Sequence, residues 1–142
     1  MVSTQKDLIQ KTILDLKASV VHLSYSYKKV QLISQNKAQM SEENLESWEG
    51  FVSRFARVSD LFLSKYLRSK ILEADPAFRG EIIDLLNKAE KMGLIELADN
   101  WYEIRALRNF SVHEYAGEKF TKTLNRMLQL TPILIQTQNA PE

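Results

Sequence analysis

Polar and titratable side chains are concentrated in one stretch of this 142-residue chain, between Arg108 and Tyr115. The stretch reads Arg-Asn-Phe-Ser-Val-His-Glu-Tyr and continues a segment whose apolar residues have helical spacing. Arginine offers a planar, permanently charged fork of donors for phosphate oxygens. Histidine exchanges protons near neutral pH because its reference pKa is about 6.5. Arg108 and His113 therefore suit chemistry at a phosphate group, with Asn109 as a further polar group.

Cleavage of RNA is a reaction that such a set can support without a metal ion. RNA carries its own nucleophile, the 2′-OH, next to the scissile phosphate. The reaction then needs a base, an acid and positive charge for the transition state. One histidine cannot be acid and base at once, so we expect a homodimer to supply two.

The relative directions of these side chains follow if the stretch is helical, at about 100° per residue. Arg108 and Tyr115 then share nearly one stripe, and Asn109 stacks with His113 on a neighbouring stripe. Arg108 and His113 lie about 140° apart, which is awkward for two groups on one ligand. We therefore expect either a helix distorted near Gly117 or a two-fold dimer whose polar faces meet.

Neighbouring side chains are candidates for binding RNA. Arg105 lies close to Arg108 on the same helical face. Three aromatic residues could stack on unpaired bases: Trp101, Tyr102 and Tyr115. A basic stripe follows on the last helix and could guide RNA phosphate, its members being Lys119, Lys122 and Arg126. The alternative for this stripe is an ordinary solvated helix face.

The composition limits the kinds of site that this chain can hold. It has no cysteine, which excludes a disulfide framework and a thiolate metal site. It has two histidines and no Glu-x-x-His pair, so we expect no metal site. It has no glycine-rich phosphate loop, so we expect no bound cofactor and no nucleotide-transferring activity in the chain itself.

Charge and hydropathy bear on partners and location. The net charge is +1, so any contact with nucleic acid must come from a local basic patch. No apolar run near the N-terminus resembles a signal peptide, and no stretch of about 18 apolar residues could span a membrane. We expect no membrane partner and a location in the cytoplasm.

Helical periodicity runs throughout residues 1–142, which are enough for one domain with a substantial core. An apolar seam predicts a long first helix over about residues 6–33. Ser41, followed by two glutamates, predicts the N-cap of a second long helix. That helix should end near residue 74, because a residue before proline is forced out of helical geometry. Their similar lengths predict an antiparallel hairpin.

Two shorter helices are predicted to follow. The third covers about residues 77–92 and is ended by Gly93 in a left-handed conformation. Asp99 or Asn100 is the predicted N-cap of the fourth helix, which would carry residues 108–115.

The last helix is predicted over about residues 118–138, with a kink at Pro132 and a frayed tail at 139–142. The expected fold is an all-α, up-and-down bundle of about five helices, two of them long. An aromatic stripe on the second helix is expected in the core or in a dimer interface: Trp48, Phe51, Phe55 and Phe62. Its size favours dimerisation.

The spacing Arg-x4-His-x-Tyr, here Arg108, His113 and Tyr115, resembles the signature of HEPN-domain proteins. In particular, it is similar to the HepT toxin group of HepT–MntA toxin–antitoxin pairs, which includes proteins described as nucleotidyltransferase substrate-binding. The likeness extends to other parts of the chain: residues 89–95, Trp101, Asn109 and Arg54-Phe55.

This resemblance implies a dimer of helical bundles and a metal-independent ribonuclease. Arg108 and His113 would carry the chemistry, with Asn109 assisting. The resemblance also implies a cognate MntA-like nucleotidyltransferase that neutralises the toxin by adding AMP to Tyr115.

Less specific interpretations stand beside these. The chain could be a non-catalytic, substrate-binding or regulatory subunit of a nucleotidyltransferase, with the same Arg108–His113 face binding phosphate. These two residues could also belong to an intrachain network, with Tyr115 as a rim tyrosine. His22 is expected on a helix flank, without a catalytic role.

Overall fold

The computed structural model describes residues 4–142, which form helices and short connections and contain no β-strand in that range. The α-helices are α1 (Gln5–Val30), α2 (Glu42–Asp60), α3 (Arg68–Ala74), α4 (Ile82–Lys91), α5 (Ala98–Leu107) and α6 (Gly117–Gln136). A π-helical segment (Leu61–Leu67) joins α2 to α3, and 3-10 turns lie at Lys37–Gln39 and Thr137–Asn139. The predicted all-helical bundle with two long helical rods is confirmed.

The first long rod is α1, and the second is the continuous run of α2, the π-helical segment and α3. The two rods form an antiparallel pair, as predicted. Ser19 of α1 meets Arg57 of α2, whereas Ser26, further along α1, meets Arg54. The second rod begins where the sequence indicated, because the Ser41 hydroxyl accepts a hydrogen bond from the Asn44 N–H at 3.1 Å.

The aromatic stripe of the second rod lies inside the bundle of its own chain. Trp48, Phe51 and Phe55 have no exposed surface, and Phe62 is 3% exposed. The rings pack on one another, with 5.8 Å between the centroids of Trp48 and Phe51. The stripe is therefore core, and its size no longer argues for a dimer.

An exposed apolar stripe lies instead on the outer face of α1 and the turn after it. Its members recur at helical spacing and are all more than half exposed: Leu14, Val21, Tyr25 and Leu32. Because α1 buries its opposite seam against the second rod, this stripe is left on the surface.

The two short helices α4 and α5 begin and end differently from the prediction. α4 starts at Ile82 rather than near residue 77. At this start, the Asp84 carboxylate accepts a hydrogen bond from the Glu81 N–H at 3.0 Å. Gly93, with φ of +74°, ends it as predicted. The predicted caps of α5 were wrong, because α5 begins at Ala98, whose N–H donates to the Glu90 carboxylate at 2.6 Å.

The C-terminal end of the chain is tied to the second rod. α6 stays helical across Pro132 and ends at Gln136. In the tail predicted to fray, the Pro141 carbonyl accepts a hydrogen bond from the Tyr66 hydroxyl at 2.6 Å, and the Glu142 carbonyl accepts one from Lys70 at 2.8 Å. Burial, with a smaller contribution from nearby Glu73, raises the pKa of Tyr66 to about 12.

No helix within residues 4–142 combines the length and the apolar character that crossing a bilayer requires.

Candidate functional site

The stretch around Arg108 and His113 is a loop between α5 and α6, not a helix. α5 ends at Leu107, and residues 108–116 form turns and extended backbone. Both Phe110 and Val112 are buried. Residues two apart point about 200° apart on a helix, so a helix could not bury both on one side. The angles predicted from helical geometry were therefore wrong.

Lys37, from the connection between α1 and α2, fixes the shape of this loop. Its ammonium group donates to the Val112 carbonyl at 2.5 Å and to the Tyr115 carbonyl at 2.8 Å. It also lies 5.3 Å from the centroid of the Phe120 ring. One partly buried cation thus satisfies two carbonyls that the missing helix would have paired.

Arg108 forms an ion pair with Asp60, the last residue of α2. Its Nη1 donates to Asp60 Oδ1 at 2.7 Å. Its Nε is buried and has no hydrogen-bond partner within the part of the chain that the structure describes. An unpaired buried donor on a cation is costly, and Nε would have to become accessible before it could donate to an anionic ligand.

His113 also contacts α2, through Glu49. Its Nε2 lies 2.9 Å from Glu49 Oε1, while 68% of the side chain remains exposed. Its backbone N–H donates to the Ser111 hydroxyl at 3.2 Å. The second ring nitrogen is left for solvent or a ligand.

Arg108 and His113 line the same open groove, of about 330 Å³. α2 forms its other wall through Glu49, Ser53 and Ala56. The structure therefore brings the two predicted residues together within one chain. A phosphate in this groove would meet a charged donor fork and an imidazole, two groups that phosphoryl chemistry uses.

The carboxylates of Glu49 and Asp60 were missed by sequence analysis. They are eleven residues apart and so lie on one face of α2. That spacing alone carries no indication of a site, because exposed acidic residues are common on helix surfaces.

The other predicted residues of the motif lie beside the groove without lining it. Tyr115 stacks on Phe110 with 5.0 Å between ring centroids, and Lys119 Nζ lies 4.7 Å from the Tyr115 ring centroid. The Tyr115 hydroxyl makes no hydrogen bond within residues 4–142, so its oxygen is not engaged by the fold. Asn109 is exposed at the loop's start, and Arg105 is partly buried at the end of α5.

The predicted base-stacking residues on α5 are not at the groove. Trp101 is 3% exposed and stacks on Phe62 with 4.5 Å between centroids, so the prediction for it was wrong. Tyr102 is exposed but lines a different surface cavity, with Ile83 and Asn87 of α4. Neither ring faces Arg108 and His113.

The basic stripe on α6 is largely neutralised. Arg126 donates twice to Glu103, at 2.6 and 2.7 Å, and this pairing lowers the pKa of the Glu103 carboxyl. Lys122 pairs with Glu118 at 2.8 Å. The stripe therefore has the character of a solvated helix face, with only Lys119 turned to Tyr115.

No group of three or more His, Cys, Asp or Glu side chains within residues 4–142 is arranged to hold a metal ion. In comparisons with known proteins, no family model, no curated protein and no solved structure matches this chain.

Proposed function

We propose that this protein is a HEPN-type ribonuclease toxin of a toxin–antitoxin pair, which cleaves RNA without a metal ion. The observation that carries the proposal is the open groove that Arg108 and His113 line together. The resemblance of the motif to HEPN-domain proteins supplies the reaction.

In the proposed reaction, a base removes the proton of the 2′-OH, whose oxygen attacks the adjacent phosphorus. The bond to the 5′ oxygen breaks, and an acid returns a proton to that oxygen. The products are a 2′,3′-cyclic phosphate and a free 5′-OH. His113 acts as acid or base, Arg108 stabilises the charge on the phosphorane, and Asn109 orients the phosphate.

A homodimer completes the proposed site. Each groove contains one histidine, whereas the reaction uses an acid and a base together. The second histidine would come from a second copy of the chain. The predicted angle of about 140° between Arg108 and His113 no longer favours a dimer, because the two residues share a groove within one chain.

The proposed control is AMPylation of Tyr115 by a cognate MntA-like nucleotidyltransferase. The phenolic oxygen would attack the α-phosphorus of ATP and release pyrophosphate. The hydroxyl is free of intrachain hydrogen bonds in the described range, and Lys119 lies over the ring to meet the added phosphate. The adduct would place bulk and negative charge beside the groove and so compete with RNA.

The second candidate is a non-catalytic, substrate-binding subunit of a nucleotidyltransferase. The same Arg108 fork would then bind a nucleotide phosphate. The exposure of His113 and its pairing with Glu49 favour this candidate as much as they favour catalysis.

The deciding experiment is cleavage of a defined RNA by purified protein in the presence of EDTA. Wild type is compared with Arg108→Ala and His113→Ala, and with Arg79→Ala as an exposed arginine control before α4. We expect a 2′,3′-cyclic phosphate product from wild type and Arg79→Ala and none from the two site variants.

The protein for this assay must be made without the nucleotidyltransferase and shown by mass spectrometry to be unmodified at Tyr115. If such protein leaves a broad set of RNAs intact, the ribonuclease proposal is wrong and the binding subunit replaces it.

A further inference from the structure

Two arginines in the cleft between α1 and α2 are held by neutral partners. Arg54 Nη1 donates to the Ser26 hydroxyl at 2.8 Å and to the His22 carbonyl at 3.2 Å. Arg57 Nε donates to the Ser19 hydroxyl at 3.2 Å. Each guanidinium is therefore fixed at one edge, and its other N–H groups make no hydrogen bond within residues 4–142.

The serines that hold these arginines occupy buried positions. Ser19 and Ser26 are each 6% exposed, on the side of α1 that packs against α2. An apolar residue would be the ordinary choice there, because a buried hydroxyl must find a partner. Two buried hydroxyls thus serve to orient two cations at the surface.

The positive charge of this pair is not compensated. Neither Arg54 nor Arg57 forms an ion pair with a carboxylate in the described residues, unlike Arg108 with Asp60 and Arg126 with Glu103. His22 also lines this cleft, which has a volume of about 180 Å³. Oriented, unpaired guanidinium groups of this kind suit a phosphate oxyanion.

The cleft lies beside the Arg108–His113 groove, on a neighbouring face of α2. Ser53 and Ala56 line that groove, while the next residue after each, Arg54 and Arg57, lines the cleft. Consecutive residues of a helix point about 100° apart, so α2 presents the two sites on adjacent faces. The ridge between them is low, because Gly50, Ser53 and Ala56 carry small side chains or none.

We infer that the Arg54–Arg57 cleft binds a phosphate of the RNA strand, away from the bond that is cut. This inference rests on the proposed function, since it assigns the second contact of the same substrate. Tyr25, one turn after His22 and 64% exposed on the outer face of α1, provides a ring outside the cleft on which a base of the same strand can stack. That ring favours a nucleic-acid strand over a free phosphate ion.

The test measures binding of an eight-nucleotide, 2′-O-methyl RNA labelled with fluorescein, which cannot be cut. Fluorescence anisotropy is compared for wild type, Arg57→Gln, Arg54→Gln and Lys91→Gln, an exposed control on α4. We expect each arginine variant to bind about five- to thirtyfold more weakly and to lose about one unit of salt slope. Lys91→Gln should stay within about twofold of wild type.

A second variant separates binding from packing. Arg57→Lys keeps the charge but loses the hydrogen bond pattern, and we expect it to keep more affinity than Arg57→Gln. If the lysine and glutamine variants lose the same affinity and the same melting temperature, the arginine only packs α1 on α2 and the inference is wrong.

Cleavage of an unmodified RNA distinguishes this inference from the proposed function. Higher KM with unchanged kcat in Arg57→Gln supports both. If Arg57→Gln cleaves and binds RNA as wild type does, the inference about the cleft is wrong and the proposed function stands. If binding depends on Arg54 and Arg57 but the wild-type protein never cleaves RNA, the inference about the cleft stands and the ribonuclease proposal is wrong. A wild-type protein that binds no oligonucleotide would overturn the cleft.

Discussion

Arg108 and His113 were predicted from residue type and spacing, and the structure places both in one groove. Their partners Asp60 and Glu49 could not be predicted, because no local pattern connects them with residues 48 and 64 positions later. The difference is physical: charge and proton exchange belong to a residue type, whereas pairing depends on the tertiary fold.

Asp60 should restrain the affinity of Arg108 for phosphate. Asp60→Asn keeps the oxygen acceptor but removes a negative charge 2.7 Å from the guanidinium. We expect tighter binding of uncleavable RNA by about fivefold, on the scale of about 1 kcal/mol for two solvated charges. Anisotropy titrations measure this, with Glu96→Gln as the charge-matched control. Affinity equal to that control would show that Asp60 does not act on the bound strand.

Glu49 should position His113 through its 2.9 Å contact with Nε2. We expect Glu49→Ala to slow single-turnover RNA cleavage by about ten- to a hundredfold, the cost of a misdirected catalytic group. Glu49→Gln retains an oxygen acceptor and should be less affected. Glu46→Ala, one turn earlier on α2, is the control. Equal rates for all three variants and wild type would remove Glu49 from the site.

At the level of elements, the sequence predicted the long rods well and the motif segment poorly. Apolar periodicity defines α1 and the second rod because each buries one continuous stripe. The prediction of a helix after Leu107 was wrong, because the polar residues of this loop also fit a helical pattern. Two features oppose a helix here: Phe110 and Val112 are both buried, and Lys37 binds the Val112 carbonyl. Neither feature can be inferred from the local sequence.

Lys37 should set the rigidity of the loop. Lys37→Met removes both hydrogen bonds to the Val112 and Tyr115 carbonyls while keeping a long apolar stem. We expect faster amide hydrogen exchange across residues 110–116 and a loss of about 1.5–3 kcal/mol in the free energy of unfolding. Lys28→Met, on an exposed position of α1, should change neither. Unaltered exchange in the Lys37 variant would contradict the clamp.

At the scale of the whole molecule, the contact between Tyr66 and Pro141 ties the C-terminal residues to the second rod. The raised pKa of Tyr66 means that the folded state holds the phenolic proton more tightly than the unfolded chain. Its contribution to stability is complete below pH 10 and falls as the pH rises from about 10 through about 12.

Tyr66→Phe should therefore lose about 1 kcal/mol at neutral pH, the value of one hydrogen bond. Its stability should also fall less steeply than that of wild type above pH 10, because no phenol remains to titrate. Urea unfolding at pH 8 and at several values from 10 to 12 measures both effects. Parallel pH profiles for the two proteins would refute the role given to the Tyr66 proton.

The proposed dimer makes a prediction about mixed assemblies. If two histidines act together, adding the double variant Arg108→Ala/His113→Ala to wild type should lower activity with the square of the wild-type fraction. If each groove is sufficient, activity should fall linearly. Subunits are mixed after reversible unfolding and assayed for RNA cleavage, with sedimentation to confirm equal assembly. A linear fall would assign both proton transfers to one chain.

The contact between Lys37 and the loop carbonyls has a consequence for transplantation of the motif. Residues 108–116 take their shape from an amine more than seventy residues earlier. A peptide of that sequence, or the same nine residues grafted between two helices of another scaffold, would therefore lack the group that folds it. The portable unit is a set of three segments: the loop, the connection that carries Lys37, and the face of α2.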